Sequence, residues 1–262
     1  MLTPEGFRAL HRRGDPFVLP NAWDLASARW LTAQGFPVVG TTSLGVAVAA
    51  GLPDGAGRTA DETVALAARL TAASIAVTVD VEAGFSDDPA AVAAYVARLA
   101  ELGVLGVNLE DSDVAGRLVD PALAAAKIAA ISAAAPAMFI NARTDPFWIH
   151  GDAVPEARHE EAVRRGRRYL AAGATGVFVP GALTTERIAA LADEIPAPLN
   201  VLVQASVPLA ELARAGVARV STGSLLLRVA LGAIEAAAGA VRDGAFTPPP
   251  GTPTYDRVAS MS

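Results

Sequence analysis

Eight short apolar runs rich in Val and Ile alternate with helical stretches rich in Ala, Leu and Arg, and this alternation limits the fold more than any other feature. The runs are FVLPN (17–21), PVVGTTS (37–43), IAVTVDVE (75–82), VLGVNLED (104–111), AMFINARTD (137–145), ATGVFVPG (174–181), PLNVLVQ (198–204) and ARVSTGS (218–224). Strands separated by helices pair in parallel, because the helix carries the chain back across the sheet. Eight such units in about 250 residues match a closed (β/α)8 barrel. The expected fold is therefore α/β, a TIM barrel, with residues 1–262 as one domain.

The helices carry their own punctuation. Asp88-Pro89 and Asp120-Pro121 read as an N-cap followed by proline at the first helical position. Thr59 and Glu62 have capping-box spacing, and Gly35, Gly103, Gly173 and Gly216 each follow a helical run. Residues 224–262 read as a C-terminal helix and arm. The helix, 224–242, is apolar nearly all round and is expected to be buried, against another subunit.

Composition removes several function classes. The chain is 52% hydrophobic and 18% charged, with net charge −6 and no basic stripe, so no nucleic-acid partner is expected. Without cysteine there is no disulfide, thiolate metal site or cysteine nucleophile. Lys127 is the single lysine; its place in ALAAAKIAAI reads as a solvated position well down a helix, which argues against Schiff-base chemistry. No uninterrupted apolar run has membrane-spanning length. The N-terminus reads as a short helix capped at Thr3 rather than a leader, and a cytoplasmic setting is expected.

The strand ends are polar one after another: Asn21, Thr42-Ser43, Asp80 and Glu82, Glu110-Asp111, Arg143 and Asp145, Gln204, Ser221-Thr222. In such barrels the active site lies at that face. Two residues apart on a strand, Asp80 and Glu82 should share a face, with Glu110 on the next strand. Three carboxylates in one mouth repel unless a hard cation lies among them, and Mg²⁺ or Mn²⁺ suits oxygen ligands. The alternative is that these acids cap helices or pair with Arg117 or Arg143. The planar fork of Arg143 suits a substrate carboxylate or an internal ion pair, with Asp145 orienting it. TTSLG (41–45) offers a hydroxyl and successive backbone N–H groups to an oxyanion. Asp54, in PDG, reads as a plain turn. His11 and His159 read as solvated; His150 is a candidate acid/base in the loop after the fifth strand.

LPNAWDLASARWL, TTSLG, GLPDG, DVEAGF, NLEDS, INARTD, GVFVPG and PLNV, in this order, resemble the isocitrate lyase/phosphoenolpyruvate mutase superfamily over about residues 15–242. The resemblance implies a barrel whose last helix is swapped between subunits of a homodimer or homotetramer. It implies Mg²⁺ held by Asp80, Glu82 and Glu110, and substrate bound by Ser43, Leu44, Gly45, Asp80, Arg143 and Asn200. Arg143, Glu110 and Asp54 are expected to carry the chemistry. The substrate class is a small 2-oxo acid or 2-hydroxy carboxylate, with an enolate as shared intermediate. Two departures bear on the reaction. The lyases' cysteine-bearing loop is replaced here by DSDVAGRLVDPAL, and the Lys/Asn gating loop of the phosphonopyruvate enzymes is absent. Ser112, Asp113 and Arg117 remain to fill that place, Arg117 as a second carboxylate clamp. Carbon–carbon cleavage is favoured; P–C cleavage and a non-catalytic 2-oxo acid binder are the rivals.

Overall fold

The structure, a computed structural model, describes residues 2–149 and 153–261. Helix α1 (Pro4–Ala9) precedes the barrel, and Thr3 caps it by accepting from Gly6 N at 3.1 Å. The first barrel strand comes in two pieces, β1 (Phe17–Leu19) and β2 (Asn21–Ala22), because Pro20 between them has no N–H to give to a ladder. The repeats then follow: α2 (Leu25–Ala33), β3 (Val39–Thr41), α3 (Ser43–Ala50) and α4 (Ala60–Ala72), β4 (Val77–Asp80), α5 (Pro89–Glu101), β5 (Gly106–Leu109), α6 (Pro121–Ala134) and β6 (Phe139–Arg143). The second half holds α7 (Pro155–Ala171), β7 (Gly176–Phe178), α8 (Thr185–Glu194), β8 (Leu199–Leu202), α9 (Leu209–Arg214) and β9 (Arg219–Ser221), before α10 (Leu225–Arg242) and α11 (Tyr255–Ala259).

Every strand pairing is parallel, in the order β1-β9-β8-β7-β6-β5-β4-β3-β2. Since β1 and β2 are one interrupted strand, the ring closes as a (β/α)8 barrel. Asn21 and Thr222 fasten the seam. Asn21 Oδ1 accepts from Thr222 N at 3.1 Å and Gly223 N at 3.0 Å, and Asn21 N donates to Thr222 Oγ1 at 2.9 Å. Asn21 and Thr222 are therefore committed to barrel closure, although both read as polar strand ends.

Asp88 and Asp120 cap their helices as expected, accepting from Ala90 N at 3.0 Å and Ala122 N at 2.8 Å. Thr59 does not: its side chain makes no cap bond to α4 and is turned elsewhere. Helix α10 also departs from expectation. Among its residues only Leu227 is buried, while Val229, Leu231, Ile234 and Val241 face outward. Among the described residues, none covers that outward apolar face.

Three residues read as solvated are buried. Lys127 is only 3% exposed; its ammonium donates to Ala83 O at 3.0 Å and reaches Asp87 at 3.2 Å, bracing the turn after β4 from behind. His159 packs on α7 with Nε2 2.7 Å from Glu194 Oε1. His11 lies at the barrel base with Phe7, Leu19, Val38, Leu105 and Phe139, its ring stacked on Phe139 at 3.9 Å. Helical pattern locates a polar residue on a face, but not the distant element that covers that face.

The His11 site makes a pH prediction. Nδ1 is bonded to Phe7 O at 2.9 Å, while Nε2 is buried without a partner. Burial, joined by the charge of Arg219, holds the imidazole down at a pKa of about 3 against an ordinary 6.5. Below pH 6.5 the unfolded chain takes up a proton that the folded chain refuses. Stability from this group is thus full above pH 6.5 and falls as pH drops, by about 1.4 kcal/mol per pH unit. Urea unfolding at pH 7 and pH 5 should show this slope, and His11→Phe should flatten it.

Above this base lies a polar layer. Arg219 reaches across the barrel from β9 to donate to Asn108 Oδ1 on β5 at 3.2 Å, and Asn141 Nδ2 donates to the same oxygen at 2.8 Å. Arg219 is fully buried, and desolvation draws its pKa down to about 9 against the pull of Asp80.

Candidate active site

The strands are shorter than the apolar runs, and this decides where the acids point. β4 stops at Asp80 and β5 at Leu109, so Glu82, Glu110 and Asp111 lie in the loops beyond. Asp80 still faces the mouth, with Ser43 N 3.4 Å from its Oδ2. The TTSLG segment proves to be a helix start: Ser43, Leu44 and Gly45 form the first turn of α3, so their N–H groups lie at its positive end. Gly45 is required there, because a Cβ would collide with Trp23 Cβ.

Arg143, the last residue of β6, is the centre of the site. Its Nη1 is hydrogen-bonded to Glu110 Oε1, and its Nε donates to Asp145 Oδ1 at 2.6 Å. The rings of Trp148 and Phe178 lie 5.4 and 5.9 Å from its guanidinium carbon. Burial disfavours the charged form, but Glu110 and Asp145 outweigh it and hold Arg143 protonated. Ser112 Oγ donates to Asp145 Oδ2 at 2.7 Å and lies 3.4 Å from Glu110 Oε2.

Behind Arg143 is a support that sequence reasoning missed. Asp111 accepts from Asp145 N at 2.9 Å, Thr144 Oγ1 at 2.8 Å, Tyr169 OH at 2.7 Å and Arg165 Nη1 at 3.1 Å. Arg165 is also held by Glu161 Oε1 at 2.6 Å. Tyr169 and Arg165 lie one helical turn apart on α7, a spacing that places both on one face. That spacing was the available signal; their partner, more than fifty residues upstream, was not visible.

The other expected residues divide. Asn200 lies in the barrel wall, where its Oδ1 accepts from Ser221 Oγ at 3.3 Å and its Nδ2 is buried without a partner. Asp54 is exposed on the loop between α3 and α4, near enough that its charge acts on Asp80. Arg117 is tied to Asp113 by bonds of 3.0 and 2.8 Å within one exposed turn, so it is not held toward the mouth as a clamp. Gln204 is taken up by Leu183 N and the carbonyls of Gly181 and Leu202. His150 lies outside the described residues.

Among the described residues, no three His, Asp or Glu side chains gather as a ligand set. The expected trio of Asp80, Glu82 and Glu110 does not converge, because Glu82 leaves the strand and points away. Its Oε1 accepts from Thr59 Oγ1 at 2.5 Å and its Oε2 from Gly57 N at 3.0 Å. Asp80 and Glu110 do fit a hard cation. Burial raises Asp80 to about 6 and Glu110 to about 8, each against Arg143's pull, and their mutual repulsion adds to the rise in Glu110. Such oxygens are short of positive charge.

Fold and site together define a (β/α)8 barrel with a largely covered arginine, its side chain 13% exposed, set among carboxylates at the carboxyl-end face. The chain belongs to the phosphoenolpyruvate phosphomutase family, whose model matches residues 7–242, within an enzyme superfamily that contains lyases and mutases. It is 47% identical over 244 residues to an uncharacterised Mycobacterium tuberculosis protein, covering 92% of this chain and 91% of that one. It is 31% identical over 204 residues to the 2-methylisocitrate lyase of Bacillus subtilis, covering 74% of this chain and 64% of the lyase. A solved Burkholderia cenocepacia structure, provisionally described as a lyase/mutase, superposes with TM-score 0.89 at 34% identity, covering 98% of this chain and 95% of that one.

Proposed function

We propose that this chain is a divalent-cation-dependent enzyme that cleaves a carbon–carbon bond in a small 2-oxo acid or 2-hydroxy carboxylate through an enolate. The observation that carries this reading is Arg143 held between Glu110 and Asp145, in the same mouth as Asp80 and the start of α3. Arg143 would orient a substrate carboxylate with the N–H groups it does not spend on the two acids. The first-turn N–H groups of Ser43, Leu44 and Gly45 would donate to the substrate's carboxylate or enolate oxygen, where negative charge grows as the bond breaks. In a 2-oxo acid the bonding pair moves toward the 2-oxo oxygen. In a 2-hydroxy carboxylate the hydroxyl gives its proton to a base, its oxygen becomes the new carbonyl, and the pair moves into the carboxylate of the departing fragment as an enolate. In either case a proton later returns to carbon. Asp80 and Glu110 would hold Mg²⁺, with Mn²⁺ suiting the same oxygens. When bound, the cation supplies Lewis-acid stabilisation of the developing oxyanion.

The match to 2-methylisocitrate lyase supports carbon–carbon over P–C cleavage. So does the placement of Lys127, bonded behind the barrel to Ala83 O and Asp87, with its ammonium turned to that support rather than to a phosphonate in the mouth. The outward apolar face of α10 supports exchange of that helix with a second copy, in a homodimer or homotetramer.

Thermal unfolding with oxaloacetate, 2-oxoglutarate, pyruvate and phosphonopyruvate, each with Mg²⁺ and with EDTA, tests the site. One 2-oxo acid should stabilise the fold only with Mg²⁺, by about 2.7 kcal/mol at a hundredfold excess over its Kd. Asp80→Asn should abolish the shift. No shift with any acid, with or without Mg²⁺, would refute the reading; a shift with phosphonopyruvate and release of phosphate would move it to P–C cleavage.

A further inference from the structure

Glu82 differs from the other site acids in its backbone conformation and in the partners of its carboxylate, although its N–H still donates to Asp80 Oδ1 at 3.4 Å. The backbone turns sharply after Asp80, and Glu82 takes a left-handed φ of 48°, a conformation that side-chain-bearing residues avoid unless their surroundings enforce it. Its backbone is fixed there, since Glu82 O accepts from Glu110 N at 2.8 Å. The side chain is buried, and both carboxylate oxygens are used: Thr59 Oγ1 donates to one at 2.5 Å and Gly57 N to the other at 3.0 Å. Thr59 is itself fully buried and gives its hydroxyl to Glu82 rather than to capping α4.

Both donors lie at the foot of the segment GLPDGAGRT (51–59), which carries Asp54 toward the mouth. Gly51, Gly55 and Gly57 there all have positive φ, so the segment has little stiffness of its own. A carboxylate at the start of α4 also meets the positive end of that helix. The second methylene of glutamate supplies the reach from the β4 turn to this foot; an aspartate is one carbon shorter.

We propose that Glu82 is a positioning residue that latches the 51–59 segment to the barrel rim through Thr59 and Gly57, thereby fixing where Asp54 stands, and that it is not a ligand of the divalent cation. The second half rests on the cation-dependent function proposed above; the latch does not.

The test uses the full chain and four variants: Glu82→Asp, Glu82→Gln, Thr59→Val and Thr59→Ser. Hydrogen exchange of amides 51–59 and trypsin cleavage after the exposed Arg58 report the latch. Mn²⁺ binding, read by the spin-resonance signal of the free ion, reports ligation. A hydrogen bond to a charged group should be worth about tenfold or more in local opening. Glu82→Asp and Thr59→Val should therefore speed exchange and cleavage in the segment about tenfold, and Thr59→Ser, which keeps the hydroxyl, should restore protection. Mn²⁺ affinity of Glu82→Gln should fall by less than about tenfold, since neither a ligand nor a side chain supporting one is lost. Unchanged protection in Glu82→Asp and Thr59→Val would overturn the latch. A loss of Mn²⁺ affinity of tenfold or more in Glu82→Gln, with none in Thr59→Val, would return Glu82 to the ligand set. A parent chain that binds no Mn²⁺ would defeat the proposed function, and exchange alone would then decide the latch.

Discussion

Arg143→Met is expected to abolish turnover and to lower the unfolding free energy by about 3–5 kcal/mol. The methionine fills much of the same space beside Trp148 and Phe178, so packing contributes little of that loss. The cost comes from Glu110 and Asp145, which lose the cation that neutralises both. Without the pull of Arg143, burial raises the Glu110 carboxyl further, and the fold regains stability only where Glu110 is protonated. With Glu110 at about 8 in the parent, both folded chains carry it protonated well below that pH, so this part of the loss should grow as pH rises from 7 to 9. Arg143→Lys separates the two roles: it keeps a charge but cannot address two carboxylates with a planar fork. It should recover part of the stability and little of the turnover. Urea unfolding across that pH range checks the first expectation. An Arg143→Met chain with parental stability and no pH dependence would show that the pair is not as buried as described.

The second large effect lies one layer back. Asp111→Ala removes the acceptor of four donors at once and should cost about 3–5 kcal/mol. Arg165 keeps Glu161, so the loss falls chiefly on Tyr169, Thr144 and the Asp145 amide. That amide carries the functional consequence, because Asp145 sets the tilt of the Arg143 fork. Asp111→Asn keeps the shape but presents one carbonyl oxygen in place of two. It should cost less stability while still weakening substrate binding. Binding of the 2-oxo acid identified by thermal shift, measured by calorimetry, would reveal this. Undiminished affinity in a folded Asp111→Ala chain would mean that Arg143 holds its place without support.

What the sequence revealed and what it hid follow one division. Properties set within a few residues were legible. All eight apolar runs contain a strand, the interrupted first run holding two, and the Asp-Pro pairs cap α5 and α6. Properties set by distant partners were not. Glu82 read as sharing a face with Asp80 because period-two spacing holds only within a strand, and β4 ends two residues too early. Lys127 and His11 read as solvated because the elements that cover them lie far off in the chain. Arg117 read as a second carboxylate clamp, although Asp113, four residues away on the same turn, already holds it. Asp111 passed as one polar strand end among many, since its donors come from the loop just after β6 and from α7.

The seam between Asn21 and Thr222 also governs how the molecule comes into being. The hydrogen bonds that shut the ring join residues about two hundred positions apart in the chain. Strands β2 to β9 can each add to a neighbour as they appear, but β1 waits with an unpaired edge until Arg219–Ser221 arrives. Contacts of such long separation form late and slowly. During synthesis the growing sheet is therefore an open, curling ribbon whose first strand stays exposed to other chains until nearly the last barrel residue is in place.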